Sequence, residues 1–153
     1  MSEGLSKGKF SAKTLARLSA VQALYRVSVS GEDVLDVIKQ FMKDPAVLLE
    51  ETRTVKDIDT ELFSLIVKGV DKNKADIDTM IEGAASNKAS AKRYELLLKA
   101  ILRAGVFEFI GNQSVQKDII INDYMEITHS FFNAKEPALV NAILDNIGKR
   151  LSS

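Results

Sequence analysis

Residues 94–110 read YELLLKAILRAGVFEFI, and the spacing of their apolar side chains decides the class of fold. Apolar residues recur every three or four positions, which is the period of one face of an α-helix. Further apolar residues lie off that face, which leaves four charged positions: Glu95, Lys99, Arg103 and Glu108. A helix with so little polar surface is expected to be enclosed on more than one side. We therefore predict a central helix, with a neighbouring backbone passing close to Gly105 and with Gly111 as a left-handed C-cap.

The other patterned segments of the chain are also helical. Their starts and ends follow from capping residues, such as Ser11 before the first helix and Gly31 after it. The predicted helices are residues 12–29, residues 33–43, a helix capped by Asp57 or Asp59, residues 74–84, the central helix, residues 118–133, and a last helix with Pro137 in its first turn. Residues 46–56 are ambiguous between a short helix and a loop. Because no segment pairs as strands and the connections are short, we predict an all-α bundle.

Length and composition indicate one domain. The chain has 153 residues, of which 46% are hydrophobic and 27% charged, as in globular proteins. We expect residues 1–10 to be a flexible tail and residues 11–153 to form a single helical domain. The chain has no cysteine, no secretory signal and no apolar run of the ~18 residues that a membrane span requires. A cytoplasmic protein that does not enter membranes is therefore expected.

Charge is unevenly distributed although the formal net charge is zero. Residues 1–26 carry five basic side chains against one acidic side chain, whereas residues 32–62 carry nine acidic against four basic. In the first helix, Lys13, Arg17 and Arg26 lie off the apolar face. This spacing predicts a basic edge, which can bind an anionic partner or can simply be the solvated side of an amphipathic helix. The residues alone leave both interpretations open.

No pattern in the sequence indicates catalysis. The single histidine, His129, has no second histidine or cysteine with which to share a metal ion. The acidic alternation from Asp57 to Glu61 resembles the start of a calcium loop, but Leu62 stands where that loop needs glycine. Phosphate-binding glycine loops and nucleophile elbows are absent from the sequence. We therefore predict no catalytic residue, no metal site and no cofactor.

Four segments occur in an order and at intervals that are familiar from one protein family. They are AVQALY (residues 20–25), KAILRAGVFE (residues 99–108), IIND (residues 120–123) and LVNAILD (residues 139–145). Together they resemble the NusB family of transcription antitermination factors, over about residues 13–151. The resemblance implies two small helical subdomains joined through a long central helix. It also implies a non-catalytic adaptor that binds the boxA RNA of ribosomal RNA operons together with NusE, a small-subunit ribosomal protein, in the antitermination complex of RNA polymerase.

The resemblance also suggests which residues form the sites. The family's arginine-rich cluster is thinner here, because Lys13, Thr14, Leu15 and Arg17 occupy its positions. The RNA-binding residues that it implies are Lys9, Lys13, Arg17, Gln22, Tyr25, Leu139 and Asn141. The residues implied to face the NusE partner are Lys99 and Arg103.

Some of these roles have a structural alternative. Tyr25 can stack on an unpaired base or pack in the core, and Asn141 can read a base edge or tie two helices together. For Asn122 the structural tie is the favoured role. Leu139 stands where the family usually has phenylalanine, so it can pack against a base but has no ring to stack on it.

Two other functions are compatible with the sequence. One is a protein-binding helical scaffold without RNA contact, which the zero net charge favours. The other is an RNA-binding domain related to the N-terminal part of ribosomal RNA cytosine methyltransferases. That enzyme needs a catalytic cysteine and a cofactor-binding domain, and this chain has neither. The sequence leaves open whether the protein is a monomer or a homodimer.

Overall fold

Seven α-helices and their short connections make up the part of the chain that the structure, a computed structural model, describes: residues 10–44 and 57–152. The helices are α1 (Ala12–Ser30), α2 (Val34–Lys43), α3 (Thr60–Ala84), α4 (Lys88–Lys92), α5 (Leu96–Gly111), α6 (Lys117–Phe131) and α7 (Glu136–Ser152). None of the helices in these two ranges is long and apolar enough to cross a membrane. Of the tail predicted to be flexible, only Phe10 is described, and it packs against the core. The ambiguous residues 46–56 lie outside the described residues.

Capping side chains begin three of the helices, and two of these caps, Ser11 and Asp59, are predicted by the sequence. The Ser11 hydroxyl accepts a hydrogen bond from the Thr14 amide at 3.1 Å, which starts α1. Asp33 caps α2, and Asp59 caps α3 by accepting from the Leu62 amide at 3.0 Å. Gly31 ends α1 with a φ of 75°, a left-handed conformation that glycine adopts without steric cost. The pattern-based helix boundaries are therefore confirmed at these positions.

Helix α5 lies at the centre of the fold, as predicted. It packs against α1 and α3 and also against α6 and α7, so that one continuous core joins the two groups of helices. It is central by position, not by length, since its 16 residues are fewer than the 25 of α3. The all-α fold with two helical groups joined through this helix is confirmed.

The two glycines of the central helix behave differently from the prediction. A Cβ at Gly105 would lie 3.1 Å from Leu144, so the close neighbour is a side chain of α7 and not a backbone. Gly111 is not a left-handed cap, because it is the last residue of α5 and the helix ends at Asn112 with φ of −136°. Among the described residues only Gly31 is a glycine with positive φ.

Two local features of the middle of the chain also differ from the prediction. The helix capped by Asp59 and the helix at residues 74–84 are one helix, α3, with a kink at Asn73. The Asn73 amide donates to the Gly69 carbonyl oxygen at 2.8 Å, and such a side-chain bond to the preceding turn is a common cause of a kink. Between α3 and the central helix lies a short helix that was not predicted, α4, which Asn87 caps.

Candidate nucleic-acid interface

Helix α1, the predicted carrier of a basic edge, is enclosed by other helices along its middle. Every residue from Thr14 to Val21 is buried, because α1 packs against α2, α3, α5 and α6. Its exposed side chains lie near its ends, at Lys13 in the first turn and Tyr25 near the last, which is 41% exposed. The prediction of a basic edge running along α1 is therefore wrong.

Arg17 is the clearest departure from that prediction. It is only 3% exposed. Its guanidinium donates from Nε and Nη2 to the two carboxylate oxygens of Glu108, at 2.8 and 2.9 Å, and from Nη1 to Asp123 at 2.7 Å. Because a guanidinium donates in a fixed planar fork, this arrangement commits Arg17 to the two carboxylates. The prediction that Arg17 lies on an exposed surface where it could bind RNA phosphate is thus corrected.

Glu108 is the centre of a buried polar network that the sequence did not predict. The carboxylate is fully buried and also accepts from the Tyr124 hydroxyl at 2.5 Å and the Asn112 amide at 2.8 Å. Burial would by itself lower the pKa of Arg17, but the hydrogen bonds and negative charges of Glu108 and Asp123 outweigh it, so this pKa lies above its ordinary value. Burial and the negative charge of Glu108 raise the pKa of the Tyr124 hydroxyl well above its ordinary value. The network therefore keeps Arg17 charged and Tyr124 protonated at all physiological pH values.

Asp123 joins this network to the protein surface. Its carboxylate accepts from Arg17 and, at 2.8 Å, from the Thr14 hydroxyl, and its side chain is 12% exposed. The network thus ties α1, α5 and α6 together. The network sets one cation against two carboxylates, and of the two carboxylates only Asp123 reaches the surface.

Lys13 was predicted to bind RNA, and the structure exposes its side chain to solvent. Its side chain is 63% exposed, and its ammonium contacts Asp59 at 3.0 Å. The pKa of Asp59 is below its ordinary value, mainly because the carboxylate accepts from the Leu62 backbone and further because of the contact with Lys13. An exposed ion pair of this kind is weak, so Lys13 can leave Asp59 for a stronger anion.

A groove of about 580 Å³ lies between the first turn of α1 and helix α6. Its rim carries Lys13, and α6 contributes Ile119, Asn122, Asp123 and Glu126. Ile119 is 52% exposed, and the exposed Asn122 amide has no hydrogen-bond partner in residues 10–44 and 57–152. The tie between helices that was predicted for Asn122 is made by its neighbour Asp123. In these same ranges, no group of three or more acidic, histidine or cysteine side chains is placed to hold a metal ion.

The other residues that were predicted to contact RNA are not among those that line this groove. Lys13 and Tyr25 are separated by about 18 Å along the helix, since each residue adds about 1.5 Å. Gln22 is half-buried, and its amide oxygen is buried without a partner within the described ranges. On α7, Leu139 packs partly against the core and Asn141 is exposed. Lys9 lies outside the described residues.

Comparison with known proteins identifies the family. A model of the NusB family matches residues 14–149, nearly the whole chain. The chain belongs to the NusB family.

Curated relatives in the family agree over similar lengths. The transcription antitermination protein NusB of Allorhizobium ampelinum is 38% identical over 136 residues, covering 89% of this chain and 85% of that protein. The protein of the same name from Bartonella quintana is 36% identical over 153 residues, covering 95% of this chain and 96% of that protein.

Solved structures of NusB proteins share the fold. A T. maritima NusB structure superposes with a TM-score of 0.73 at 22% identity, covering 92% of this chain and 93% of that one. A chain from a crystal structure of the antitermination factors NusB and NusE in complex with dsRNA gives a TM-score of 0.74 at 23% identity, covering 90% and 96%.

Both residues predicted to face the NusE partner make contacts within this NusB-family chain. Arg103 binds Asp78 of α3 through two hydrogen bonds of 2.8 and 2.9 Å. The Lys99 ammonium donates to the Lys92 carbonyl oxygen at 2.9 Å, which joins α5 to α4. These contacts hold the helices together, and the partner face at Lys99 and Arg103 stays a prediction.

One signal in the sequence could have revealed the buried network of this NusB-family chain. Glu108 stands in a helix that is apolar on nearly every face. Since a carboxylate enclosed in this way needs a cation and hydrogen-bond donors, its position indicates a buried partner elsewhere in the chain. Which cation fills that role depends on tertiary contacts, and the spacing of residues along the sequence does not reveal them.

Proposed function

We propose that this protein is a transcription antitermination factor, a non-catalytic adaptor that works in the cytoplasm. It binds the boxA RNA of ribosomal RNA operons together with NusE, as part of the antitermination complex of RNA polymerase. The observation that carries the proposal is the family match over residues 14–149. It is supported by curated relatives named as antitermination proteins and by the shared fold with a NusB that was crystallised with NusE and RNA.

Within this proposal the RNA-contacting cation of α1 is Lys13 and not Arg17. Lys13 is exposed and held only by a surface ion pair, whereas Arg17 is committed to Glu108 and Asp123. RNA contacts by Lys9, Gln22, Tyr25, Leu139 and Asn141 remain part of the proposal. Contacts between Lys99 or Arg103 and NusE also remain part of it.

Titration of labelled boxA RNA, with and without NusE at low salt, tests the proposal. We expect retention of RNA that becomes stronger when NusE is present. A scrambled RNA of the same length serves as the control and should be retained less. If RNA is not retained under either condition, the proposed function is wrong.

A protein-binding scaffold without RNA contact is the second candidate. The burial of Arg17 favours it, because the cationic surface of α1 is smaller than its sequence suggests. The same titration separates the two functions, since a scaffold would bind NusE but would leave the labelled RNA free in every mixture.

Replacing Lys13 by alanine should weaken binding to all RNAs alike. For a single strand, each phosphate contact contributes a slope of roughly −0.7 to the plot of log K against log salt concentration, so the slope should become shallower by about that amount. Binding isotherms at several salt concentrations measure this. Lys39→Ala, which removes an exposed lysine of α2, is the matched control and should leave the slope unchanged. An equal slope for Lys13→Ala and the wild type would exclude a phosphate contact by Lys13.

Replacing Asp59 by asparagine should strengthen RNA binding. Asparagine caps a helix about as well as aspartate, so α3 should still begin at this position, but the competing carboxylate beside Lys13 is removed. Because exposed ion pairs contribute ~0.2–1 kcal/mol, the expected gain in affinity is about 1.4- to fivefold. The gain should vanish in a Lys13→Ala background. A gain of the same size in that background would show that Asp59 acts independently of Lys13.

A further inference from the structure

The groove between α1 and α6 is wide enough to admit a nucleobase and has a lining that suits one. Its volume of about 580 Å³ lies within the usual range for small-ligand pockets. Ile119 provides exposed apolar surface, against which the flat face of a base can pack. Asn122 lies one turn further along the same face of α6, and its amide offers both a donor and an acceptor. These two side chains are exposed and neither is used to hold the fold together.

Asp123 adds a fixed hydrogen-bond acceptor to this lining. One of its oxygens accepts from Thr14 and the other from Arg17, so the carboxylate is held in place from behind. Each oxygen keeps a further lone pair, and 12% of the side chain reaches the surface. A carboxylate held in this way recognises N–H groups, such as the exocyclic amino group of a base.

The charges in the groove favour a base over a phosphate. Asp123 and Glu126 repel a phosphate placed inside the groove, whereas Lys13 at the rim attracts one. Arg17 also lines the groove, but it is only 3% exposed and its guanidinium is bound to Glu108 and Asp123. A basic side chain of a protein would also satisfy the carboxylates. Such a cation, however, would be repelled by Lys13 and would leave the acceptor of Asn122 and the apolar surface of Ile119 unused. A base inside the groove with its phosphate beside Lys13 matches all of these features.

We infer that this groove binds one unpaired RNA base that carries an exocyclic amino group. Ile119 packs against the face of the base, Asn122 and Asp123 contact its edge, and Lys13 contacts the adjoining phosphate. Arg17 is a positioning residue in this arrangement, since it orients Asp123 and does not touch the RNA. The inference rests on the proposed RNA-binding function and specifies where one base of that RNA is read.

RNA analogues that lack single amino groups test the inference. In the boxA RNA, each adenine, cytosine and guanine is replaced in turn by purine, pyrimidin-2-one or hypoxanthine, respectively. At one position the loss of the amino group should weaken binding to the wild-type protein by about tenfold. Asn122→Ala should weaken binding of the unmodified RNA by a similar factor and should discriminate less at that position, because only the Asp123 carboxylate is then left to accept from the amino group. The salt dependence of the Asn122→Ala protein should equal that of the wild type, because no phosphate contact is lost.

Two further variants complete the test, one in the groove and one on another helix as the control. Ile119→Ala should weaken binding several-fold without a change in salt dependence, and Asn146→Ala, which removes an exposed amide of α7, should behave as the wild type. Because these side chains are exposed, all three variants should keep the wild-type circular dichroism and melting temperature.

The outcomes separate the inference from the function on which it rests. If the wild type retains RNA but Asn122→Ala discriminates among the analogues as the wild type does, the inference is wrong and the proposed function stands. If Asn122→Ala lowers only the affinity for NusE, the groove holds a protein side chain, which also overturns the inference. If the wild type retains no RNA with or without NusE, both the function and the inference are wrong.

Discussion

Replacement of Glu108 by alanine is expected to lower the free energy of unfolding by about 3–5 kcal/mol. The carboxylate is fully buried and accepts hydrogen bonds from Arg17, Tyr124 and Asn112. Without it, Arg17 stays charged in the core with Asp123 as its remaining acidic partner, and the Tyr124 hydroxyl loses its acceptor. Leaving such groups unpaired costs more than the net contribution of the intact pair. Urea denaturation, followed by circular dichroism, measures the change.

An exposed ion pair provides the control for the Glu108 variant. Asp145 and Lys149 contact each other at 3.0 Å on α7, with 50% and 78% of their side chains exposed. Asp145→Ala should therefore change the free energy of unfolding by no more than about 0.5 kcal/mol. If Glu108→Ala were as stable as Asp145→Ala, the Glu108 carboxylate would have to be solvated and the buried network would not exist in solution.

The features predicted correctly from the sequence depend on residues close together in the chain. The Ser11 hydroxyl contacts the amide three residues later, and Asp59 does the same. The left-handed turn at Gly31 needs only the absence of a side chain. Helix caps and apolar periodicity are local, so they predicted the helical class, the position of α1 and the central place of α5.

The features that were missed depend on contacts between distant segments. Arg17 was assigned to an exposed edge because its spacing on α1 resembles that of Lys13, but its partners Glu108 and Asp123 lie 91 and 106 residues away in sequence. The groove was missed for the same reason, since α6 must pack beside the first turn of α1 to form it. The sequence thus predicted correctly that Lys13 is an exposed cation. It also predicted that Asn122 ties two helices together, but the neighbouring Asp123 makes that tie.

A pair of glycine substitutions in α3 should change stability in opposite directions. A Cβ at Gly69 would lie 2.1 Å from Cζ of Phe107, a ring that is only 5% exposed. The ring fills the space that two glycines leave open, since a Cβ at Gly111 of its own helix would also lie only 2.2 Å from Cζ. Overpacking of this kind costs ~1–3 kcal/mol, which exceeds the ~1 kcal/mol that alanine gains over glycine inside a helix. Gly69→Ala should therefore be destabilised by up to about 2 kcal/mol.

Gly83→Ala is the matched variant in the same helix. Its Cβ would meet Arg150 at 3.5 Å, an ordinary contact, and its φ is not positive. It should be stabilised by roughly 0.4–1 kcal/mol, and each kcal/mol should shift the melting temperature by about 2–4 °C.

The Phe107 ring is the reason for the expected difference between the two glycines, and a second substitution isolates it. Phe107→Leu removes the end of the ring, so the Gly69→Ala change should cost less in that background than in the wild type, with a coupling energy of about 0.5–3 kcal/mol. Thermal melts of the two single variants and the double variant measure this coupling. Equal costs of Gly69→Ala in both backgrounds would mean that α3 and α5 are not held together by close packing at this glycine. The same contact fixes α3 against α5, the helix that carries Glu108.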